Sequence, residues 1–159
     1  MKQAILIVCG EEYERLPFLV EQFDERFNVY IHIDKKVIVP QKLVEGLKAK
    51  TGIRWMNQSF ITNWGSMNLV NAILLLCEVA LTEEDNTHFH LISGADFPAA
   101  TNSEIIATCS SEKDNYIEFF PMPTPRWKEG GMNRLLYFHP LDILNSTSVR
   151  DNELYLKAL

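Results

Sequence analysis

The chain has 159 residues, with 15 Lys+Arg against 21 Asp+Glu, a formal net charge of -6 and 47% hydrophobic residues. That composition supplies one good core and a single domain, and its acidic balance excludes a dedicated nucleic-acid binder or a polybasic membrane-surface protein, both of which need clustered positive charge. Three well-separated cysteines (Cys9, Cys77 and Cys109), with no C-x-x-C pair, argue against a disulfide scaffold or a structural zinc site and fit a reducing compartment.

The run Ala4 to Val8 is continuously apolar and β-branched, and it ends at Gly10, as a strand buried on both faces should. Leu16, Leu19, Val20, Phe23 and Phe27 follow at helical spacing, with Pro17 tolerable only in a first turn. Asn28 to Ile33 reads as a second strand ending at Asp34. Pro40 opens a helical stretch that carries Leu43, Val44 and Leu47 and closes near Gly52. Ile53 to Trp55 reads as a short strand, and 57–64 as an irregular segment. Gly65-Ser66 caps a helix running from Met67 to about Leu81. A strand over Thr87 to Ile92 leads into Ser93-Gly94-Ala95-Asp96. Thr101-Asn102-Ser103-Glu104 has the capping-box form ahead of another helix. Asn115 to Phe120 reads as a further strand. Pro121, Pro123, Pro125 and Gly130-Gly131 then mark a loop, and the pattern from Met132 to Leu159 is weak.

The longest apolar run, Leu69 to Leu81, carries Asn71 and Glu78 and falls short of the about 20 residues that a spanning helix needs. No signal-peptide pattern follows Lys2, so the chain as it stands reads as cytoplasmic. Strands alternating with helices at this spacing predict an α/β domain with a mainly parallel sheet, which binds ligands beyond the carboxyl ends of its strands. The polar residues expected there are Gly10, Asp34, Lys35, Lys36, Thr62, Trp64, Gly94, Asp96 and Glu118.

No G-x-G-x-x-G, P-loop or G-x-S-x-G motif is present, and Glu11-Glu12 after Gly10 would repel a pyrophosphate. His88 and His90 form an H-x-H on one strand face and could hold a metal with Asp96; the plainer reading is of half-buried strand residues, as for His32 and His139. Asp34-Lys35-Lys36 offers a carboxylate for a base or ribose and lysines for a phosphate, or else a solvated turn. Trp64-Gly65-Ser66 offers a flat aromatic surface at a helix start, or else a core residue at a sheet edge. Asp96 fits a sugar-hydroxyl acceptor or an Asx-type turn former.

Four segments taken in order resemble one family: Tyr30-Ile31-His32-Ile33-Asp34-Lys35-Lys36, Ile61-Thr62-Asn63-Trp64-Gly65-Ser66, His90 through Pro98, and Thr101-Asn102-Ser103-Glu104-Ile105. This is the core-2/I-branching β-1,6-N-acetylglucosaminyltransferase family, which also holds the peptide O-xylosyltransferases; the resemblance covers about residues 3–128. It implies a GT-A-like (Rossmann-like) α/β fold and an inverting, metal-independent transfer of N-acetylglucosamine or xylose from a UDP-sugar to an acceptor glycan or glycosylated protein. No cofactor is implied beyond the donor substrate, and the absence of a D-x-D motif agrees. Carried over by position, Ile7 matches a backbone contact to the nucleotide, Asp34 the acid that holds the uridine, and Thr62 and Trp64 the second nucleotide-binding segment. Glu118 resembles an acid contacting the acceptor sugar, Arg126 a basic acceptor-side residue, and Asp96 is placed on the same side. Relatives in the family include Golgi membrane proteins, which leaves membrane association open, although the chain carries no anchor.

On this reading residues 1–128 form the nucleotide-sugar-binding domain, and 129–159 begin an acceptor-side region. The catalytic carboxylate and the basic residues that replace a metal at the diphosphate are expected beyond Leu159, since no S-P-D-E-like segment occurs here and Asp142, Asp151 and Glu153 sit in no recognisable motif. The chain then reads as a truncated or fragmentary donor-binding half, with apolar surface exposed on its unclosed acceptor side. Two alternatives stand beside it. One is a catalytically incomplete UDP-binding or interaction module; the other is a metal-dependent hydrolase built on His88, His90 and Asp96.

Overall fold

The computed structural model describes residues 1–109, 115–136 and 142. Four strands, β1 (Lys2–Cys9), β2 (Phe27–Ile33), β3 (Ile53–Asn57) and β4 (Asn86–Ser93), pair in parallel in the order β3-β2-β1-β4. The central position of β1 and β2 explains the continuous apolar run Ala4 to Val8 and the burial of β2 even at Asn28 and His32. All seven residues of β2 are buried, as are six of the eight in β1, because both faces are covered.

The helices α1 (Leu16–Val20), α2 (Gln41–Lys48), α3 (Met67–Ala80) and α4 (Asn102–Cys109) divide unequally between those faces. Leu16, Leu19 and Val20 of α1, Leu47 of α2 and Ile105 and Ile106 of α4 pack on the side of Ile5, Ile7, Val29 and Ile31. Leu76 and Ala80 of α3 cover the other side, over Ala4, Leu6 and Tyr30. One helix does not span the width of that face. Phe89 and Leu91 of β4 therefore stay partly exposed, with Met67 and Leu74 of α3.

Boundaries elsewhere follow the chemistry of the ends. Ser66 Oγ accepts the Leu69 amide at the start of α3, as a cap should. The reciprocal capping box at α4 forms as the sequence predicts: Thr101 N donates to Glu104 Oε2 at 2.8 Å and Glu104 N to Thr101 Oγ1 at 3.3 Å. Two expectations are corrected. The first helical pattern does not run to Phe27, because α1 ends at Val20 in i→i+3 turns from Gln22 to Leu19 and Phe23 to Val20. Phe27 instead opens β2, and Phe23 packs its ring 5.4 Å from it. Their spacing reported a shared core face, not a continuous helix. Residues Asn115 to Phe120 form no strand: Tyr116, Ile117 and Phe119 are exposed, and the run pairs with no strand of the sheet, so apolar side chains lack the ladder that would make one. The proline-rich loop is followed by a 3-10 turn (Lys128–Gly131) and α5 (Asn133–Leu136). Residues 137–141 and 143–159 of the predicted tail, with His139, Asp151 and Glu153, lie outside the described residues.

The strand order reverses between β1 and β4, and the ends of these strands are drawn tightly together. Gly94 N donates to Val8 O at 2.9 Å, and a Cβ on Gly94 would lie 2.5 Å from Cys9 Sγ and 2.9 Å from its Cβ. The buried Cys9 thiol, pushed up to about 12 by burial and then by Glu12, acts there as a packed apolar group and not as a nucleophile. Gly94→Ala is expected to lose about 1–3 kcal/mol through overpacking at this junction, measured as a lower urea midpoint with an unchanged slope.

Candidate functional site

Beyond the carboxyl ends of β1 and β2, two loops are joined side by side. The turn after β2 begins with Asp34, whose amide donates to Cys9 O at 2.8 Å, so that the central strand sets its position. Asp34 is 5% exposed, and its Oδ1 accepts the Lys36 amide at 2.9 Å in an Asx-type turn. Lys36 then reaches across: its ammonium lies 3.4 Å from Asp34 Oδ2 and donates to Asn63 Oδ1 at 2.7 Å. Asn63 is buried beside Trp64, and its carbonyl accepts the Ser66 amide at 3.0 Å, leading into α3. Gly65 has φ 76, a left-handed conformation that turns the chain between the indole and the helix cap.

The same two loops are sewn together at three further points. Phe60 N donates to His32 Nε2 at 3.1 Å, Lys35 N donates to Phe60 O at 2.9 Å, and the Gln58 amide group donates to Asp34 O and Val37 O. Thr62 and Trp64, on either side of the buried Asn63, are thereby held next to the turn that begins with Asp34. Trp64 is 65% exposed there, which rules out the plain reading of it as a core residue. Asp34 uses its two oxygens on one residue, and each carboxylate oxygen has a further lone pair for a ring N–H or a ribose hydroxyl.

Ile7 lies inside the ladder between Ile31 and Ile92 with its side chain wholly buried, two residues before the end of β1 at Cys9. Asp96 Oδ2 accepts the Ser93 amide at 2.7 Å, the turn-forming geometry, while its side chain remains exposed. Glu118 and Arg126 meet each other as an exposed ion pair, and Arg126 also lies over the Phe120 ring at 5.0 Å.

The hydrolase constellation is not assembled. His90 Nε2 lies 2.8 Å from Gln3 Oε1 and lines a hollow of ≈ 270 Å³ with Asp96, Phe23 and Phe97; His88 lines a different one with Lys2 and Arg26. Among the described residues no three His, Cys, Asp or Glu side chains come together as a metal set.

Sequence reasoning missed three participants. Asn63 and Phe60 carry no chemical signature of their own. Asp142 sits in an unpatterned tail, yet its Oδ1 accepts the Asn68 amide at 2.7 Å, adding a carboxylate to the α3 N-terminus. A signal for Lys36 was present in the two-residue spacing from Asp34, which suits an Asx turn that folds the lysine back.

A parallel sheet of this order, with helices on both faces and convergent polar groups at its carboxyl edge, is a Rossmann-like α/β arrangement. A sequence profile of the Core-2/I-branching enzyme family matches residues 4–151, and the chain belongs to that family. It is similar to xylosyltransferase 2 of Homo sapiens, 29% identical over 146 residues that cover 87% of this chain and 16% of the relative. The proteins of the same name from Rattus norvegicus and Bos taurus are 28% and 27% identical, with the same coverage. The chain thus spans about a sixth of the length of these relatives. Among the described residues no helix is long and apolar enough to cross a membrane.

Lys36→Met removes the bridge but only a half-exposed ion pair, so global stability is expected to fall by under about 1 kcal/mol. Amide exchange over residues 58–66 should rise by at least tenfold, read by mass spectrometry after deuterium labelling.

Proposed function

We propose that this chain carries the donor-binding half of an inverting, metal-independent glycosyltransferase of GT-A type that uses a UDP-sugar. The observation that supports this is the Lys36 bridge, which joins the Asp34 turn to Asn63, the residue before Trp64. A uridine offers what these groups complement. Its ring N–H and ribose hydroxyls are donors for Asp34, and its base has a face for Trp64, a stack worth about 1–3 kcal/mol. Thr62, between them in sequence, adds a hydroxyl that both donates and accepts. Lys35 and Lys36 are the cations that stand at this edge, where a diphosphate would follow the ribose.

In an inverting transfer, a carboxylate takes the proton of the acceptor hydroxyl as that oxygen attacks the anomeric carbon, and UDP leaves from the opposite face. The step needs a base at the acceptor and positive charge at the departing diphosphate. Glu118 and Arg126 are the acidic and the positively charged residue that the resemblance assigns to acceptor contacts, not to the catalytic base, and their mutual pairing would have to open for either to meet a sugar hydroxyl. Asp96 stands with them in that assignment, and an acceptor glycan or glycosylated protein is the partner it implies. The relatives bearing the name xylosyltransferase favour UDP-xylose as donor over UDP-N-acetylglucosamine.

Calorimetric titration with UDP in the presence of EDTA tests the reading. Wild type should bind, and Asp34→Ala and Trp64→Ala should each weaken binding at least tenfold, about 1.4 kcal/mol. Absence of binding by the wild type, or equal affinity in both variants, would overturn it.

A further inference from the structure

We propose that His32 is the positioning residue of the donor crevice, holding the 58–64 loop through a hydrogen bond that only its uncharged imidazole can accept. The inference rests on the nucleotide-binding reading of Asp34, Thr62 and Trp64, and it adds a residue to which neither the composition nor the family resemblance gives a role.

The geometry is specific. His32 lies near the end of β2, is 0% exposed, and has Val8 of β1 and Asn57 of β3 as its ladder partners. Its ring stacks on Phe60 with centroids 5.9 Å apart and 28° between planes, and its Nε2 is 3.1 Å from the Phe60 amide. A backbone N–H can only donate, so Nε2 must carry a lone pair and the proton must sit on Nδ1. That Nδ1 meets no acceptor on another residue among the described residues, and the hydrogen-bonding group that favours the charged ring is His32's own backbone. A buried, unsatisfied donor is an expense for a core side chain, and an apolar residue would fill the space without it. What the imidazole supplies in return is the acceptor for Phe60, two residues before Thr62 and four before Trp64. The Phe60 carbonyl is held in turn by Lys35 N, so the loop is fixed from both sides of one peptide residue.

Protonation would convert Nε2 into a donor facing a donor. The charged groups acting on the ring come from its own strand end: Asp34 favours the imidazolium, and Asp34 is itself paired with Lys36. The flanking ladder partners Val8 and Asn57 and the loop residue Phe60 are uncharged. Burial outweighs Asp34 and holds the ring below its ordinary range. The folded value lies below the unfolded one, so this contribution is complete above the ordinary imidazole range and is lost as pH falls through the depressed value.

The test measures two things on the whole chain: exchange of the Phe60 amide by NMR, and UDP affinity by calorimetry, both stepped down from pH 8 until the His32 ring resonances report that the imidazole has charged. In the wild type the Phe60 amide should lose protection, and UDP affinity should fall at least tenfold, as the imidazole charges. His32→Gln, whose Oε1 can accept in place of Nε2, should bind UDP within about threefold of wild type at pH 8 and lose the acid sensitivity. His32→Leu should weaken binding at least tenfold at pH 8. Phe60 exchange that does not respond to pH, or a His32→Gln profile identical to that of the wild type, overturns the proposal whether or not the leucine variant folds. A wild type that binds no UDP at pH 8 overturns the nucleotide reading instead, and the Phe60 exchange still decides the role of His32.

Discussion

The end of β1 is the constraint on which the crevice depends. The strand is central, with parallel neighbours on both sides, and its last carbonyls close the ladder on each flank. They are used to bring in the chain on either flank: Cys9 O takes the amide of Asp34 after β2, and Val8 O takes the amide of Gly94 after β4. The exits of β2 and β4 are therefore each held within hydrogen-bond distance of the end of β1, and Gly94 must lack a side chain for the second to close. A parallel sheet places such exits at one edge by topology alone. What this sequence adds is the acid at the first exit and the two-loop junction built outward from it.

From that anchor the arrangement is hierarchical. Asp34 organises its own turn by accepting the Lys36 amide; the turn aims the Lys36 side chain at Asn63; and Asn63, with Gly65 and Ser66, carries the chain into α3. The aromatic group that stands out to solvent, Trp64, is supported on both sides by residues that do not. The acceptor-side residues Glu118 and Arg126 are set by a different local structure, the loop around Phe120 and Trp127, whose rings meet edge to face at 5.3 Å with Arg134 over the indole. The two halves of the proposed site are thus independent in what holds them.

Much of this was legible in the sequence where local and global preferences agree. β1 announced itself through the unbroken apolar run Ala4 to Val8, β2 through its β-branched and aromatic residues, Thr101 and Glu104 as a capping box, and Ser66 as the start of α3, because each depends on neighbours within a few positions. The first helix was overread, since Phe23 and Phe27 keep the helical spacing while serving a turn and a strand. Asn115 to Phe120 was overread for the opposite reason: a strand is a relation between two segments, and composition reports only one of them. At the site, Asp34 and Trp64 were visible as residue types out of place for a core. His32 was not, because a histidine within a buried strand looks the same whether its ring nitrogen meets a neighbouring side chain or, as here, the amide of a loop 28 residues away. Asp142 was hidden likewise, 74 residues from the amide it meets.

The stitching of the 58–64 loop to the turn after β2 has a thermodynamic consequence. Immobilising a free segment at the moment of association draws on the gross attraction between host and guest, by about 1–2 kcal/mol for each backbone residue frozen. Here that ordering is completed when the protein folds, with the hydrophobic collapse of the sheet as its source of free energy. A small molecule arriving at this edge meets walls already in place, and its own few contacts count almost in full toward its retention.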